Sequence, residues 1–420
     1  MGVLNPPLSI LVSFCILGIM LYKRVRLGIA LIVTPIVLAL LALDWSSIPR
    51  LIYATVDPLV PEGILALLII IATFISSWFS YLYKETKEVM ILSEGLSSLT
   101  KRPKFTLSFL PAIIGLIPVP GGALLSAPIV DSESQNLGLS SDKRAFINLW
   151  FRHIIFPIYP LSQSLIVTAA LTRIPLLTII LLQMPVIAVM IVVGYLIGLR
   201  ESSSENKKPG IFRKVSKWTL FLSFLPILIA IFLAVILGAI NHILFQQGLN
   251  IVIASFIGLM TLAVTSRSSF KIFIKPLSNL WIYDVVFATY GAFLLQNVIK
   301  NINIVDLLKP MILNGVLGEV LLLTIIPVCL GFLMGSPIGA VAITAPILSS
   351  FSVFSPKSAA LLYASVYLGY IIAPTHLCFV FTVDYFKSPI TKVYRYIIPS
   401  FIVTYSAALL LYSPFLRILT

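Results

Sequence analysis

The chain has 420 residues, of which 59% are hydrophobic and only 10% are charged. A soluble domain carries roughly 25% charged residues, and a mean hydropathy of +1.07 does not suit a surface that faces water. The composition therefore excludes a soluble enzyme, a disordered chain and, despite a net charge of +14, a nucleic-acid-binding domain. Apolar runs of about twenty residues fit membrane-spanning helices, so the prediction is an all-α polytopic membrane protein.

The first half of the chain, residues 1–199, combines ordinary spans with two irregular segments. A Pro-Gly turn at 118–122 separates two apolar arms that are too short to cross, which predicts a re-entrant hairpin. A later span is interrupted by two prolines at 157–160. The predicted segments are scaffold helices within 7–83, a hairpin at 105–131 and a broken helix at 143–171.

A hydrophilic cytoplasmic linker, residues 200–217, leads into a second half, residues 218–420, with the same order of segments. Its hairpin turns at 335–339, and its long span is interrupted at Pro374-Thr375-His376. The predicted segments are scaffold helices within 218–299, a hairpin at 319–350 and a broken helix at 358–385.

The two halves also match in residues. Gly121-x4-Ser126-Ala-Pro-Ile corresponds to Gly339-x4-Thr344-Ala-Pro-Ile, and Ile154-Ile-Phe-Pro corresponds to Ile371-Ile-Ala-Pro. Both matches have almost the same sequence offset, and each lies beside a helix break. Similarity at a fixed offset is typical of repeat architecture, so the sequence predicts two structural repeats.

The basic residues predict the orientation. Twenty-two Lys and Arg residues fall in the segments assigned to the cytoplasm and six on the opposite side, as the positive-inside rule requires. Each half then has five crossings and one hairpin, so the second half inserts with inverted topology and both termini lie outside. Inverted repeats with paired broken helices are typical of secondary transporters.

Irregular backbone at membrane depth is tolerated only where protein or a watery cavity supplies its hydrogen-bond partners. The matched breaks in the two halves therefore predict a binding site. Half-helix N-termini favour an anion, whereas freed carbonyls and hydroxyls suit Na⁺. Ser126 and Thr344 offer hydroxyls at equivalent hairpin positions. Glycines permit tight turns there and prolines remove helical donors; these residues are Gly121, Gly122, Gly339, Pro120, Pro157, Pro337 and Pro374.

Ionisable residues inside spans are functional candidates. Arg152 could pair with an anionic substrate or a carbonyl at the break, or it could cap the cytoplasmic mouth or bind lipid headgroups. Arg152 and His153 precede the first break by about one turn. His376, in the second break, could bind substrate, carry a proton or be a buried hydrogen-bonded histidine. Tyr159 occupies the matching place in the first break.

The remaining titratable residues argue against other chemistries. No pair of carboxylates is predicted at mid-membrane, which disfavours a cation antiporter built on paired acids; Asp284, near a cytoplasmic end, could still carry a proton. Cys15, Cys329 and Cys378 lie in separate apolar runs and are interpreted as packing residues, because neither their spacing nor that of the histidines matches a metal motif. No enzyme activity and no cofactor beyond Na⁺ is expected.

The sequences Pro118-Val-Pro-Gly-Gly-Ala-Leu-Leu-Ser-Ala-Pro128 and Ile372-Ala-Pro-Thr-His-Leu-Cys378 resemble the ion transporter superfamily, which includes divalent-anion symporters and citrate and gluconate permeases. They look closest to an uncharacterised prokaryotic membrane family within it, catalogued as domain of unknown function four hundred and one. The resemblance covers the whole chain. It implies the plasma (inner) membrane of a prokaryote, a homodimer, and a mobile domain that moves as an elevator against a fixed scaffold.

The resemblance also implies two pseudo-symmetric sites at the hairpin tips and helix breaks. Sodium-coupled dicarboxylate members carry Ser-Asn-Thr at these four places, and this chain does not, so solute and coupling ion stay open. The expected substrate-binding residues are Gly122, Ser126, Tyr159, Ser336, Thr344 and His376. The expected coupling-ion residues are Pro120, Gly121, Pro157, Ile158, Gly335, Pro337, Pro374 and Thr375.

Taken together, the sequence predicts a secondary active transporter of a small anionic organic solute, coupled to Na⁺ or H⁺. The expected partners are the solute, the lipid bilayer and a second copy of the chain, with no nucleic acid. An ion exchanger of the same fold, such as a Na⁺/H⁺ antiporter, is the alternative. A passive channel and an intramembrane lipid enzyme are alternatives from other classes.

Overall fold

The computed structural model describes residues 4–99, 103–117, 122–135, 137–200, 215–240, 248–302, 321–351 and 354–412. Over these residues the chain is helical and contains no strand, which confirms the all-α prediction. The helices of the first half are α1 (Pro6–Tyr22), α2 (Leu27–Ala42), α3 (Ile48–Ala54), α4 (Pro61–Glu85), α5 (Glu88–Leu99), α6 (Pro103–Gly115), α7 (Ala123–Gln135), α8 (Ser141–His153), α9 (Gln163–Thr172) and α10 (Leu176–Gly198).

The helices of the second half are α11 (Lys217–Ile240), α12 (Leu249–Thr265), α13 (Phe270–Ile274), α14 (Leu280–Asn301), α15 (Ile325–Met334), α16 (Pro337–Phe351), α17 (Pro356–Ile371), α18 (Leu377–Tyr385) and α19 (Ile390–Tyr412). Short 3₁₀ turns occupy Trp45–Ser47, Phe156–Ile158 and Lys275–Ser278.

Six stretches of the described chain are long and apolar enough to cross a membrane, which indicates a membrane protein. Five of them are the continuous helices α4, α10, α11, α14 and α19, and the sixth runs through α8 and α9. Shorter apolar helices, such as α1, α2 and α12, accompany them. Exposed Leu, Ile and Phe side chains cover the outer surfaces of these helices, as a hydrocarbon environment requires.

The helices pack in two groups. One contains α1, α2, α4, α11, α12 and α14, in which α2 lies against α14 and α12 lies against α4 and α11. The other contains α6–α9 and α15–α18, with α10 and α19 packed beside it. The segments with interruptions all belong to the second group, and α4 and α14 contact it through α9 and α16.

Small residues allow backbones to approach closely between helices of the second group. A Cβ added to Gly331 on α15 would lie 2.2 Å from the Val366 carbonyl oxygen on α17, and one on Gly369 would lie 2.3 Å from the Val328 carbonyl oxygen. Lipid tails are as apolar as the helix surfaces, so the hydrophobic effect does not drive helices together within the membrane. Close van der Waals contact of this kind is therefore a main source of stability between them.

Asp284 has a structural role at the start of α2. Its Oδ1 accepts a hydrogen bond of 2.9 Å from the backbone N–H of Gly28, while Arg26, the residue that precedes α2, supplies no side-chain cap. The carboxylate of α14 therefore satisfies one of the N–H groups that a helix leaves unpaired at its N-terminus.

We predict that Asp284→Ala destabilises the protein by about 1 kcal/mol, the usual cost of losing an N-terminal cap. Asp284→Asn keeps an acceptor oxygen at the same place and serves as the matched control. Thermal unfolding of the two purified variants tests this. Equal destabilisation by both would show that the charge of Asp284, rather than its hydrogen bond, matters.

Candidate functional site

The two interrupted helices pack across each other. The first interruption separates α8 from α9, and the second separates α17 from α18. Asn148 on α8 donates a hydrogen bond of 3.2 Å from Nδ2 to the hydroxyl of Thr382 on α18. The hydroxyls of Ser164 on α9 and Tyr363 on α17 lie 3.3 Å apart. Each helix half thus contacts the opposite half of the other interrupted helix.

A buried polar network fixes the helix after the first hairpin turn to this crossing. The Ser126 hydroxyl on α7 donates to Oδ1 of Asn148 at 2.6 Å, and Nδ2 of Asn148 also donates to the Ala123 carbonyl oxygen at 3.0 Å. Both side chains are fully buried. Asn148 therefore uses its acceptor and its donors, and it joins α7, α8 and α18 in one network.

The second hairpin turn lies directly against the second helix break. Gly335 ends α15 in the left-handed region, with φ +56°. A Cβ on Gly335 would lie 2.5 Å from Oγ1 of Thr375 and 3.1 Å from the backbone nitrogen of His376. The structure thus brings together predicted residues of the hairpin tip and of the break that are about forty positions apart in sequence.

Arg152 is buried at the end of α8, with no exposed surface. Its Nη2 donates to the Ile117 carbonyl oxygen at 3.1 Å, while Nε and Nη1 have no partner at good hydrogen-bond geometry. The ion pairs formed among the described residues do not include it. A buried charge costs several kcal/mol unless it is paired, so this guanidinium favours an anion.

Two histidines and a cysteine lie together near Arg152. The rings of His153 and His376 meet edge to face with centroids 4.7 Å apart, and the Tyr370 ring lies 4.0 Å from that of His376. The side chain of Cys378 lies beside the Arg152 guanidinium. Ligand atoms of His153, His376 and Cys378 are all within 4.8 Å of one another, and the three residues are buried.

The two imidazoles differ in their hydrogen bonds. Nδ1 of His153 lies 2.6 Å from the Leu149 carbonyl oxygen, so this nitrogen carries the proton, and Nε2 lies 3.4 Å from the Tyr370 hydroxyl. His376 is 2% exposed, yet neither of its ring nitrogens has a well-formed hydrogen bond. A buried polar group without a partner is costly, so a ligand that forms a bond with the His376 imidazole would be stabilised there.

The other residues predicted for the first site lie elsewhere or outside the described chain. Tyr159 is buried next to Tyr83, and its hydroxyl has no partner. Pro157 and Ile158 form the 3₁₀ turn between α8 and α9. Gly122 is buried immediately before α7. Pro120 and Gly121 lie outside the described residues.

The remaining residues predicted for the second site surround the second hairpin turn. Ser336 follows Gly335, and its hydroxyl lies 3.5 Å from the Gly339 backbone nitrogen. Pro337 begins α16. The Thr344 hydroxyl donates to the Ala340 carbonyl oxygen within the same helix at 2.8 Å, so it has a local partner. Pro374 is exposed in the second break.

Sequence reasoning missed several residues of this region. Cys378 was interpreted as a packing residue, and Asn148 and Thr382 were not singled out. The polar face of α4, with Ser76 donating to the Leu161 carbonyl oxygen at the first break at 2.9 Å, was missed as well. Its signal is helical spacing of hydroxyl residues within a hydrophobic span: Thr73, Ser76, Ser77 and Ser80 are all buried on α4.

A family described as a protein of unknown function (DUF401) matches residues 7–414. The chain belongs to this family. The match covers nearly the whole chain, so both interrupted helices and the two segments predicted as hairpins lie inside the family's boundaries. A search of curated proteins found no match.

We predict that Gly335→Ala disrupts the second break, because the new Cβ meets both Thr375 Oγ1 and backbone and an L side chain is strained at positive φ. We expect destabilisation of about 1–3 kcal/mol, measured by thermal unfolding. Gly339→Ala is the matched control, since the three atoms nearest to its Cβ are the side-chain ends of Met334 and Leu27, which can move, rather than backbone. Equal tolerance of both substitutions would contradict the close packing at Gly335.

Proposed function

We propose that this protein is a secondary active transporter of a small anionic organic solute, with Arg152 as the residue that balances the solute's charge. The observation that carries the proposal is the complete burial of a guanidinium that has no ion-pair partner among the described residues and two nitrogens without a partner at good hydrogen-bond geometry. In a low-dielectric interior such a charge is stabilised by a bound counter-anion, and planar arginine is well suited to carboxylate recognition.

The surroundings of Arg152 support a transported solute rather than a structural ion. The residue lies in the last turn of α8, next to the first break, and irregular backbone at membrane depth usually lines a binding cavity. The imidazole of His376, whose nitrogens have no well-formed hydrogen bond, lies in the other break and offers a second hydrogen-bonding group. We expect the solute to lie between Arg152 and His376.

The proposal includes two inverted repeats that divide at the linker 200–217. Two related contacts support it. A Cβ on Gly115 of α6 would lie 2.4 Å from the Arg152 carbonyl oxygen on α8, just as Gly331 of α15 approaches the Val366 carbonyl oxygen on α17. In each half, a glycine on the first hairpin arm thus packs against the first segment of the interrupted helix.

We further propose elevator-type movement in a homodimer, coupled to Na⁺ or H⁺. The group formed by α6–α9 and α15–α18 would carry the solute, and the group containing α2, α4, α12 and α14 would form the fixed scaffold. The support is that all interruptions lie in one helix group. A solute held wholly within that group could cross the membrane with it as a unit.

We predict that Arg152→Gln raises the melting temperature of the ligand-free protein and abolishes stabilisation by organic acids. The reason is that an unpaired buried charge is removed together with its anion-binding group. A panel of small organic acids, each tested in Na⁺, K⁺ and choline salts at several pH values, gives the measurement. A bound acid should stabilise the unmodified protein by about 2.7 kcal/mol at a hundredfold excess over its Kd.

Arg144→Gln is the matched control, because Arg144 is paired with Asp131 at 2.5 Å near the start of α8. It should keep the acid-induced shift. If Arg152→Gln instead lowers the melting temperature and retains the shift, Arg152 is a structural residue and the anion proposal fails.

We also predict that His376→Ala and Pro374→Ala abolish uptake of the stabilising acid into proteoliposomes while the protein still inserts. The substitutions remove the unpartnered imidazole and the proline that limits the second break. Uptake should saturate and require a Na⁺ or H⁺ gradient.

A pH jump in vesicles holding electrolytes alone tests ion exchange, and unsaturable flux without a second ion would identify a channel.

A further inference from the structure

We propose that His153, His376 and Cys378 form a binding site for a soft monovalent metal ion of the Cu⁺ or Ag⁺ type. The three side chains supply two imidazole nitrogens and one sulfur, with ligand atoms within 4.8 Å of one another. Sulfur and imidazole are the donors that soft d¹⁰ ions prefer. The inference concerns binding alone and does not depend on transport of an anion.

The hydrogen bonds around His153 match those of a metal ligand. A ligating histidine usually donates its other ring N–H to a carbonyl or carboxylate, which fixes the tautomer and the ring orientation. In His153, Nδ1 has this bond to the Leu149 carbonyl oxygen at 2.6 Å. The lone pair is then on Nε2, which lies 3.4 Å from the Tyr370 hydroxyl, and a bound metal would replace this long contact.

His376 supplies the second, independent observation. It is 2% exposed and neither ring nitrogen has a well-formed hydrogen bond, so one nitrogen can coordinate a metal at little cost in existing bonds. Metal–ligand bonds of about 2.0–2.3 Å need ligand atoms about 3.5–4 Å apart in a trigonal arrangement. Closure of the cluster therefore requires shifts of less than about 1 Å for each side chain.

The charge of Arg152 selects a monovalent ion. When a metal binds, the S–H bond of Cys378 breaks, its proton leaves to solvent and an S–metal bond forms. A monovalent ion plus a thiolate adds no net charge beside the buried guanidinium, whereas Zn²⁺ would add one positive charge there. Without a carboxylate ligand in the cluster, the divalent ion has nothing to offset this repulsion.

Silver is the probe, used in chloride-free and thiol-free buffer on the purified full-length protein. The background is the double variant Cys15→Ser/Cys329→Ser, because both of these cysteines are exposed and would bind silver by themselves. We expect one tightly bound silver ion per chain and no comparable binding of Zn²⁺. His153→Gln and His376→Gln should each weaken silver binding at least tenfold, and Tyr370→Phe should not.

Two results of the binding measurements would overturn the proposal. One is silver affinity that neither histidine substitution changes, which would mean that the Cys378 thiol binds alone. The other is Zn²⁺ binding as tight as that of silver. X-ray absorption at the silver edge of the double variant needs no histidine substitution, so it covers the case in which those variants do not fold. It should detect nitrogen and sulfur neighbours, and sulfur neighbours alone would refute the site.

Discussion

The buried charge of Arg152 is the constraint around which this helix bundle is arranged. A guanidinium inside an apolar bundle needs hydrogen-bond acceptors at close range, and Ile117, two residues after the end of α6, provides one through its carbonyl oxygen. That approach depends on Gly115, whose missing side chain lets α6 lie against the Arg152 carbonyl oxygen. This segment thus contacts Arg152 at two places: Gly115 packs against its backbone carbonyl, and Ile117 accepts a hydrogen bond from its guanidinium.

The second constraint is the backbone that the helix breaks leave without helical partners. Lipid cannot satisfy these groups, so other segments of the protein must. Side chains do so where the interrupted helices cross and where α4 meets the first break, as in the hydrogen bond from Ser76 to the Leu161 carbonyl oxygen. Asn148 extends this arrangement because it links three helices through one amide. The crossing is therefore a polar layer inside an otherwise apolar helix group.

The charge of Arg152 and the ligand atoms of the neighbouring cluster favour two different kinds of bound species. Arg152 and the hydrogen-bonding groups near it favour an anion, because only an anion offsets the guanidinium. The sulfur and imidazole atoms of Cys378, His153 and His376 favour a soft metal ion, and Arg152 limits that ion to a single positive charge. Either proposed ligand would have to enter a region where His153 and Arg152 have no exposed surface, so its binding would require the helices around the cluster to move.

The sequence by itself determined the helical, membrane-spanning character of this protein, because long apolar runs have few alternatives in lipid. It also located the residues of the breaks, since proline and glycine act on the backbone locally, as at Pro157, Pro374 and Gly335. His376 was predicted as a site residue because an ionisable residue within a break is conspicuous in sequence.

Only the tertiary structure decided which residues meet. Arg152 had four interpretations until its burial and its missing partners were known, and Cys378 resembled the other two cysteines until it was found beside His153 and His376. The contact between Asn148 and Thr382 spans more than two hundred residues. Composition and helical periodicity describe what surrounds each residue along its own helix, whereas these contacts depend on how separate helices cross.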